Sequence, residues 1–190
     1  PLWTVLPDNN NLHKAKSPAK DVYAQIISDA QQAESLMNES LGIGYPLKFA
    51  ANMLLAKVYM TLATNPDLGD GSSNYWQLAY DEAIKVKNSG RYSLHPNYSE
   101  LCTQSGENSR ESIFEYQLSE IASNSQLGRN YTPWKYKTGM HFGWFQVHAS
   151  VYDSHVANYP ADPRLDGTYL HYYTRADNNV EVKLYPSTSR

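Results

Sequence analysis

A mostly α fold follows from three observations on the 190-residue sequence. Apolar residues recur at i, i+3 and i+4 over three long stretches between residues 18 and 89, which lays a stripe along one face of each helix. Small Ala residues sit beside large aromatics on those stripes, the packing logic of a tetratricopeptide-type helical pair. After Gly90 the period stops, and long runs rich in Gly, Asn, Ser and aromatics take over, broken by short alternating segments. The expected architecture is tetratricopeptide-like helical hairpins with a loop-rich face and a few short strands. It reads as a single domain, with a helical scaffold at about residues 17–102 and a loop-rich region at about 103–190.

Taken in order, residues 2–6 read as a short extended segment and 7–11 as a turn. Ser17 is placed as the cap of the first helix and Pro18 at its first position. Its stripe is Val22, Tyr23, Ile26, Ile27, Ala30, Ala33, Leu36 and Met37, and the LGIG run at 41–44 breaks the pattern. Pro46 opens the second helix, whose stripe is Leu47, Ala50, Ala51, Leu54, Leu55, Val58, Tyr59 and Leu62. Ser72 or Ser73 caps the third. There Trp76, Ala79, Tyr80, Ala83 and Ile84 form the core-facing stripe, with Tyr75 only its neighbour. Gly90 stops this helix, with Lys85 and Lys87 near its negative end. Residues 97–102 read as one short helix ending in a buried Cys102 thiol, and 104–110 as a polar loop. The alternation in ESIFEYQLS (111–119) predicts a strand or extended arm. Residues 121–147 form a long loop, 149–159 show helical spacing, 161–166 a turn and 168–174 a strand; the last 16 carry little pattern.

Composition narrows the function. A net charge of −3 and a pI near 6.1 exclude the basic face that phosphate neutralisation requires, so no nucleic-acid partner is expected. The lone Cys102 excludes an internal disulfide. No apolar run approaches the ~20 residues of a membrane span, and the N-terminus lacks a signal-peptide layout. The chain opens on Pro1 without an initiator Met and ends in PSTSR, and it is expected to be a piece of a longer protein. Sixteen tyrosines and 4 tryptophans in a chain of mean hydropathy −0.60 imply aromatic surface as well as aromatic core.

No GxSxG, HExxH, CxxC, P-loop or GxGxxG signature is present, so no catalytic residue is nominated. His148 and His155 lie seven apart, wider than the usual helical metal pair. Asp67 and Asp70 place two carboxylates in one glycine-containing loop, the ligand chemistry Ca²⁺ uses, but the acidic spacing of an EF-hand is missing, and the run reads as a polar turn. No cofactor or metal is expected. Asp162-Pro163-Arg164 reads as an ion pair and nothing catalytic. The richer candidate is the run RNYTPWKYKTGMHFGWF at 129–145. Sugars present C–H faces that stack on flat rings and hydroxyls that bond to planar polar groups, and this run supplies both. The binding residues it nominates are Trp134, Tyr136 and Trp144, then Tyr131, Phe145, Arg129 and Asn130. The competing reading is that these rings pack the loop onto the helices.

The order of segments carries a resemblance. PLWTVLP is followed by SPAKDVYAQIISDAQQAESL, KFAANMLLAKVYMTLA and YWQLAYDEAIKVKNSGRYSL, then NYSELC, ENSRESIFEYQ and VYDSHVANYPADPRLDGTYL. The set, over about residues 1–175, resembles the SusD/RagB family of surface glycan-binding lipoproteins of Bacteroidetes. Cys102 stands where the family commonly has Phe, and the chain is shorter than family members. The resemblance implies tetratricopeptide-like hairpins supporting a loop-rich ligand face, and no enzymatic activity. It further implies a role in polysaccharide utilisation: binding of an oligosaccharide or other nutrient at the extracellular face of the outer membrane. Partners would be that ligand and a SusC-like TonB-dependent transporter, with anchoring by a lipid on an N-terminal Cys this chain lacks. The ligand residues follow from the aromatic run alone. The alternative is a helical-repeat protein–protein interaction module without glycan binding.

Overall fold

The computed structural model describes residues 2–7, 10, 12–70, 74–117, 127–138 and 140–185. It is mostly helical with a small two-stranded antiparallel sheet. The chain divides into two compact units, Pro1–Leu94 with Asn108–Tyr116, and His95–Glu107 with Gln117–Arg190.

The first unit is built from α1 (Ala19–Leu36), α2 (Lys48–Thr64) and α3 (Tyr75–Asn88). α2 packs against both of the others, and its sequence accounts for that place. Asn52, Leu55, Tyr59 and Leu62 bury one of its faces, and Phe49, Ala56 and Val58 extend the burial sideways. Leu55 is 0% exposed, a burial that stabilises by about 1.5–3 kcal/mol. From α1 the core receives Ala30, with Tyr23, Ile26 and Ile27 packed against it, and from α3 it receives Tyr75 and Ala79. The Tyr59 and Tyr75 rings stack with centroids 6.1 Å apart and 22° between planes. Tyr75 donates its hydroxyl to Asp70 Oδ1 at 2.5 Å, so the polar tip of a buried ring is paired.

A polar network crosses the same helices. Asn52 Nδ2 donates to Glu82 at 2.8 Å, and Lys85 Nζ donates to Glu34 at 2.8 Å and to Glu82 at 2.9 Å. Burial works to raise the Glu34 carboxyl, but the hydrogen bonds from Lys85 and Asn52 outweigh it and hold the group below its ordinary value. Gly90, at φ +67°, takes the left-handed position just past α3 and ends it as expected from sequence. Arg110 then donates to the carbonyl oxygens of Arg91 and Gly90, and Ser93 N–H donates to Arg110 O at 3.0 Å. One arginine thereby ties the 108–116 arm to the exit of α3.

Local expectations are corrected at several points. Ser17 does not cap α1: its hydroxyl accepts Leu2 N–H at 2.8 Å, and Pro18 is the residue preceding the helix. Pro46 lies two residues before α2 rather than at its first position. Leu54 is exposed, because α2 is covered on the flanks that carry Phe49 and Ala56 instead. The core stripe of α3 is rotated by one residue from the expected one, so that Tyr75 is buried while Trp76 and Tyr80 are exposed. The proposed caps Ser72 and Ser73 lie outside the described residues.

In the second unit, residues 97–102 hold a single 3₁₀ turn, Tyr98–Glu100, whose cap Asn97 accepts Ser99 N–H, followed by another at Gln104–Gly106. Cys102 is exposed, not a buried thiol, since one 3₁₀ turn has no inner face to hide it. Three short helices follow: α4 (Leu127–Tyr131), α5 (Ala149–Asn158) and α6 (Arg164–Thr168). Strand β1 (Tyr172–Thr174) pairs antiparallel with β2 (Glu181–Lys183), with Tyr173 opposite Val182. The strand expected at 168–174 is thus shorter, its first residue being helical, and β2 falls in the stretch that showed no pattern. The described part of the segment expected as a strand at 111–119 makes no ladder, its chain being held by Arg110 instead; Leu118 and Ser119 lie outside the described residues.

Candidate functional site

The aromatic run occupies the second unit, and its backbone is fixed at several points. Arg129, Asn130 and Tyr131 end α4. The extended segment that follows a turn comes back beside them: Phe142 N–H donates to Arg129 O at 2.8 Å, and Phe145 N–H to Asn130 O at 3.2 Å. Between these segments Tyr136 N–H closes a turn on Pro133 O at 3.1 Å. Gly143, at φ +59°, is where the two segments meet. A Cβ there would lie 3.3 Å from Pro133 Cα, so glycine serves both the backbone conformation and the close approach. Lys135 also adopts a positive φ of 61°, a conformation costly for a residue with a Cβ and kept only where the surroundings impose it.

What imposes it is the hairpin. Tyr173, buried on β1, donates its hydroxyl to Trp134 O at 2.7 Å, and Ala176 N–H donates to Lys135 O at 2.9 Å. The Tyr136 and Tyr173 rings meet edge to face at 5.8 Å. The turn carrying Trp134, Lys135 and Tyr136 is therefore held from behind by β1 and the residues that follow it.

The side chains are left outward. Trp134 is 54% and Trp144 66% exposed, and Tyr131 and Phe145 are exposed beside them. Phe142 stacks on Trp144 with centroids 4.6 Å apart and planes 23° from parallel, and Tyr131 meets Phe145 at 5.4 Å. Lys135 Nζ stands 5.2 Å from the centroid of Trp134, a cation–π contact that restrains the indole. Arg129 is exposed, whereas Asn130 Oδ1 is buried with no hydrogen-bond partner among the described residues. All seven nominated residues thus lie in one loop cluster: two indoles, three other rings and one guanidinium at or near the surface, and Asn130 turned inward. In the same loop His141 Nδ1 is buried with no hydrogen-bond partner among the described residues. Nothing in the sequence signals its burial.

Comparison with family models, with curated proteins and with solved structures finds no match.

Elsewhere, the expected ion pair is present. Arg164 Nε donates to both Asp162 oxygens at 2.9 Å, and this pairing holds the Asp162 carboxyl well below the usual range. Asp70 is the partner of the Tyr75 hydroxyl, and among the described residues no three His, Cys, Asp or Glu side chains cluster as a metal site would. No described helix is long and apolar enough to cross a membrane.

Proposed function

We propose that the protein is a non-enzymatic glycan-capture protein of the SusD/RagB type, acting at the outer surface of a bacterial outer membrane and delivering oligosaccharide to a TonB-dependent transporter. In this reading the full-length protein is lipid-anchored, α1 to α3 form tetratricopeptide-like hairpins, and the loop cluster is the ligand face. The observation that carries it is the exposure of Trp134 and Trp144 on a backbone fixed by hydrogen bonds from Tyr173, Ala176, Phe142 and Phe145. Rings that served only to pack the loop would be covered. Rings held open on a hydrogen-bonded backbone can stack on a pyranose at a reduced ordering cost at the moment of binding. Arg129 and Lys135 stand ready to bond hydroxyls, and a shallow surface of this kind binds weakly because it buries little area.

The test is an affinity-gel screen across polysaccharide classes, with the chain beside its Trp134→Ala/Trp144→Ala variant. Retardation by one class, lost or reduced at least about tenfold in the variant, is the expected outcome. Unchanged retardation by the variant would move the site off the loop.

A second reading, a helical-repeat protein-interaction module, is favoured by a separate observation. Trp76 and Tyr80 lie one turn apart on α3 and are both exposed, and exposed aromatics of this kind are enriched at protein contacts. In that case a Trp76→Ala/Tyr80→Ala variant loses association with the partner, and the Trp134/Trp144 variant does not.

A further inference from the structure

A cleft of about 410 Å³ opens in the second unit, outside the nominated loop residues. Its size is at the low end of the roughly 300–1,000 Å³ typical of small-molecule sites. α5 contributes Ser154 and Asn158, with Tyr159 immediately after it; Arg164 comes from α6, and Tyr98 from the one-turn 3₁₀ segment.

The floor is built. Asp162, whose side chain is only 8% exposed, accepts from Arg164 Nε and from His155 Nε2, the latter at 3.1 Å. His155 Nδ1 lies 3.1 Å from the Tyr169 hydroxyl. A neutral ring that donates from Nε2 to the carboxylate accepts the tyrosine O–H at Nδ1, so both nitrogens are used.

Its walls offer unused groups. Asn158 Nδ2 donates to Ser154 O at 2.7 Å, which leaves Oδ1 without a partner among the described residues. Ser154 Oγ, the Tyr159 hydroxyl and Arg164 Nη1 likewise make no hydrogen bond among the described residues. Tyr98 and Tyr159 are both exposed at the rim and present their rings, the Tyr98 hydroxyl lying 3.4 Å from Thr168 Oγ1. An acceptor, two hydroxyls and a guanidinium edge beside two ring faces match a compact polyol with apolar C–H faces. Arg164 is already neutralised by Asp162, so an uncharged ring fits better than an acidic one.

We propose that this cleft is a second sugar-ring site, taking a neutral hexose unit between Tyr98 and Tyr159 with its hydroxyls on Ser154, Asn158 and Arg164. The proposal rests on the glycan-capture reading and adds a site to it.

Side-chain NMR on the whole chain tests it, with maltoheptaose, cellopentaose and mannopentaose as separate probes. The Asn158 amide and Arg164 Nε–H signals report on the cleft, and the Trp134 and Trp144 indole N–H signals on the loop. The expected result is saturable movement of the cleft signals with at least one probe. That movement persists in Trp134→Ala/Trp144→Ala and is weakened at least about fivefold in Tyr159→Ala. Indole signals that move while Asn158 and Arg164 stay still would overturn the cleft and leave the glycan reading standing. Cleft signals that move without the indoles would support the cleft and remove the loop. Stillness of both sets with every probe overturns both. Tyr159 is exposed, so its removal leaves the fold intact; if it does not, the wild-type titration alone decides.

Discussion

Tyr75 and Trp76 are neighbours in sequence with opposite fates. One is buried against Tyr59 with its hydroxyl on Asp70; the other is exposed. Successive helical positions differ by about 100°, so a stripe placed one residue off exchanges a core residue for a surface one. Substitutions should reveal the asymmetry. Leu55→Ala in the core should cost about 2–5 kcal/mol, since a fully buried leucine leaves a cavity that the tight α2 neighbourhood cannot refill. Trp76→Ala should stay within about 0.5 kcal/mol, like other surface changes. Urea midpoints of the two variants check this. Equal costs would mean that Trp76 is covered by something beyond the described residues.

At the scale of elements, periodicity made α1, α2, α3 and α5 legible, because a helix that buries one face must repeat its apolar residues along it. The core of unit one, from Ala30 to Leu62 and Ala79, was readable for the same reason, as was the glycine stop at Gly90. Shorter elements were not. β2 is three residues, Glu181–Lys183, with two charges, and no alternation of that length stands out. α4 is a single turn with no buried stripe to repeat, whereas the 3₁₀ turn at Tyr98–Glu100 falls within the short helix expected at 97–102 and is only shorter than it. Caps misled because a serine hydroxyl such as that of Ser17 can serve a distant N–H as well as its own helix. In the candidate site, ring composition pointed to the loop, but its support was hidden. That Tyr173 would reach Trp134 O, and that Gly143 would meet Pro133, are long-range facts. Gly143→Ala tests that support. A Cβ at φ +59° and 3.3 Å from Pro133 Cα should cost about 1–2 kcal/mol for the left-handed conformation alone. Glycan retardation should fall, because the two ring-bearing segments separate, while helical circular dichroism from α1 to α3 is retained. Undiminished retardation would show that the loop geometry is not needed for binding.

For the whole molecule, acid is the condition under which the two units should be told apart. A carboxyl whose folded pKa lies below its unfolded one stabilises the fold above the unfolded value, and that contribution is lost as pH falls through the folded value. Glu34 is such a group in the first unit, lowered from an ordinary 4.5. Asp162 and Asp177 are such groups in the second, lowered from 3.8 by Arg164 and Arg175 respectively. Stability should therefore hold down to about pH 4.5 and decline below it, with Glu34 giving way from 4.5 downward and the two aspartates only below 3.8. Salt reaches the Asp162 pair through the half-exposed Arg164, although the carboxylate itself is covered, and the Arg175–Asp177 pair is partly exposed, so the share of both should shrink as ionic strength rises. Glu34 sits in a network with Lys85 and Asn52 that links three helices, and its share should persist. Glu34→Gln keeps the shape and removes the titration. Acid unfolding followed by far-ultraviolet circular dichroism should then lose its steepening below pH 4.5 in the variant, at the cost of lower stability at neutral pH, where the wild-type Glu34–Lys85 pair is intact. A variant whose acid profile parallels that of the wild type would show that Glu34 does not couple protonation to folding, and would leave the acid response to the aspartate pairs of the second unit.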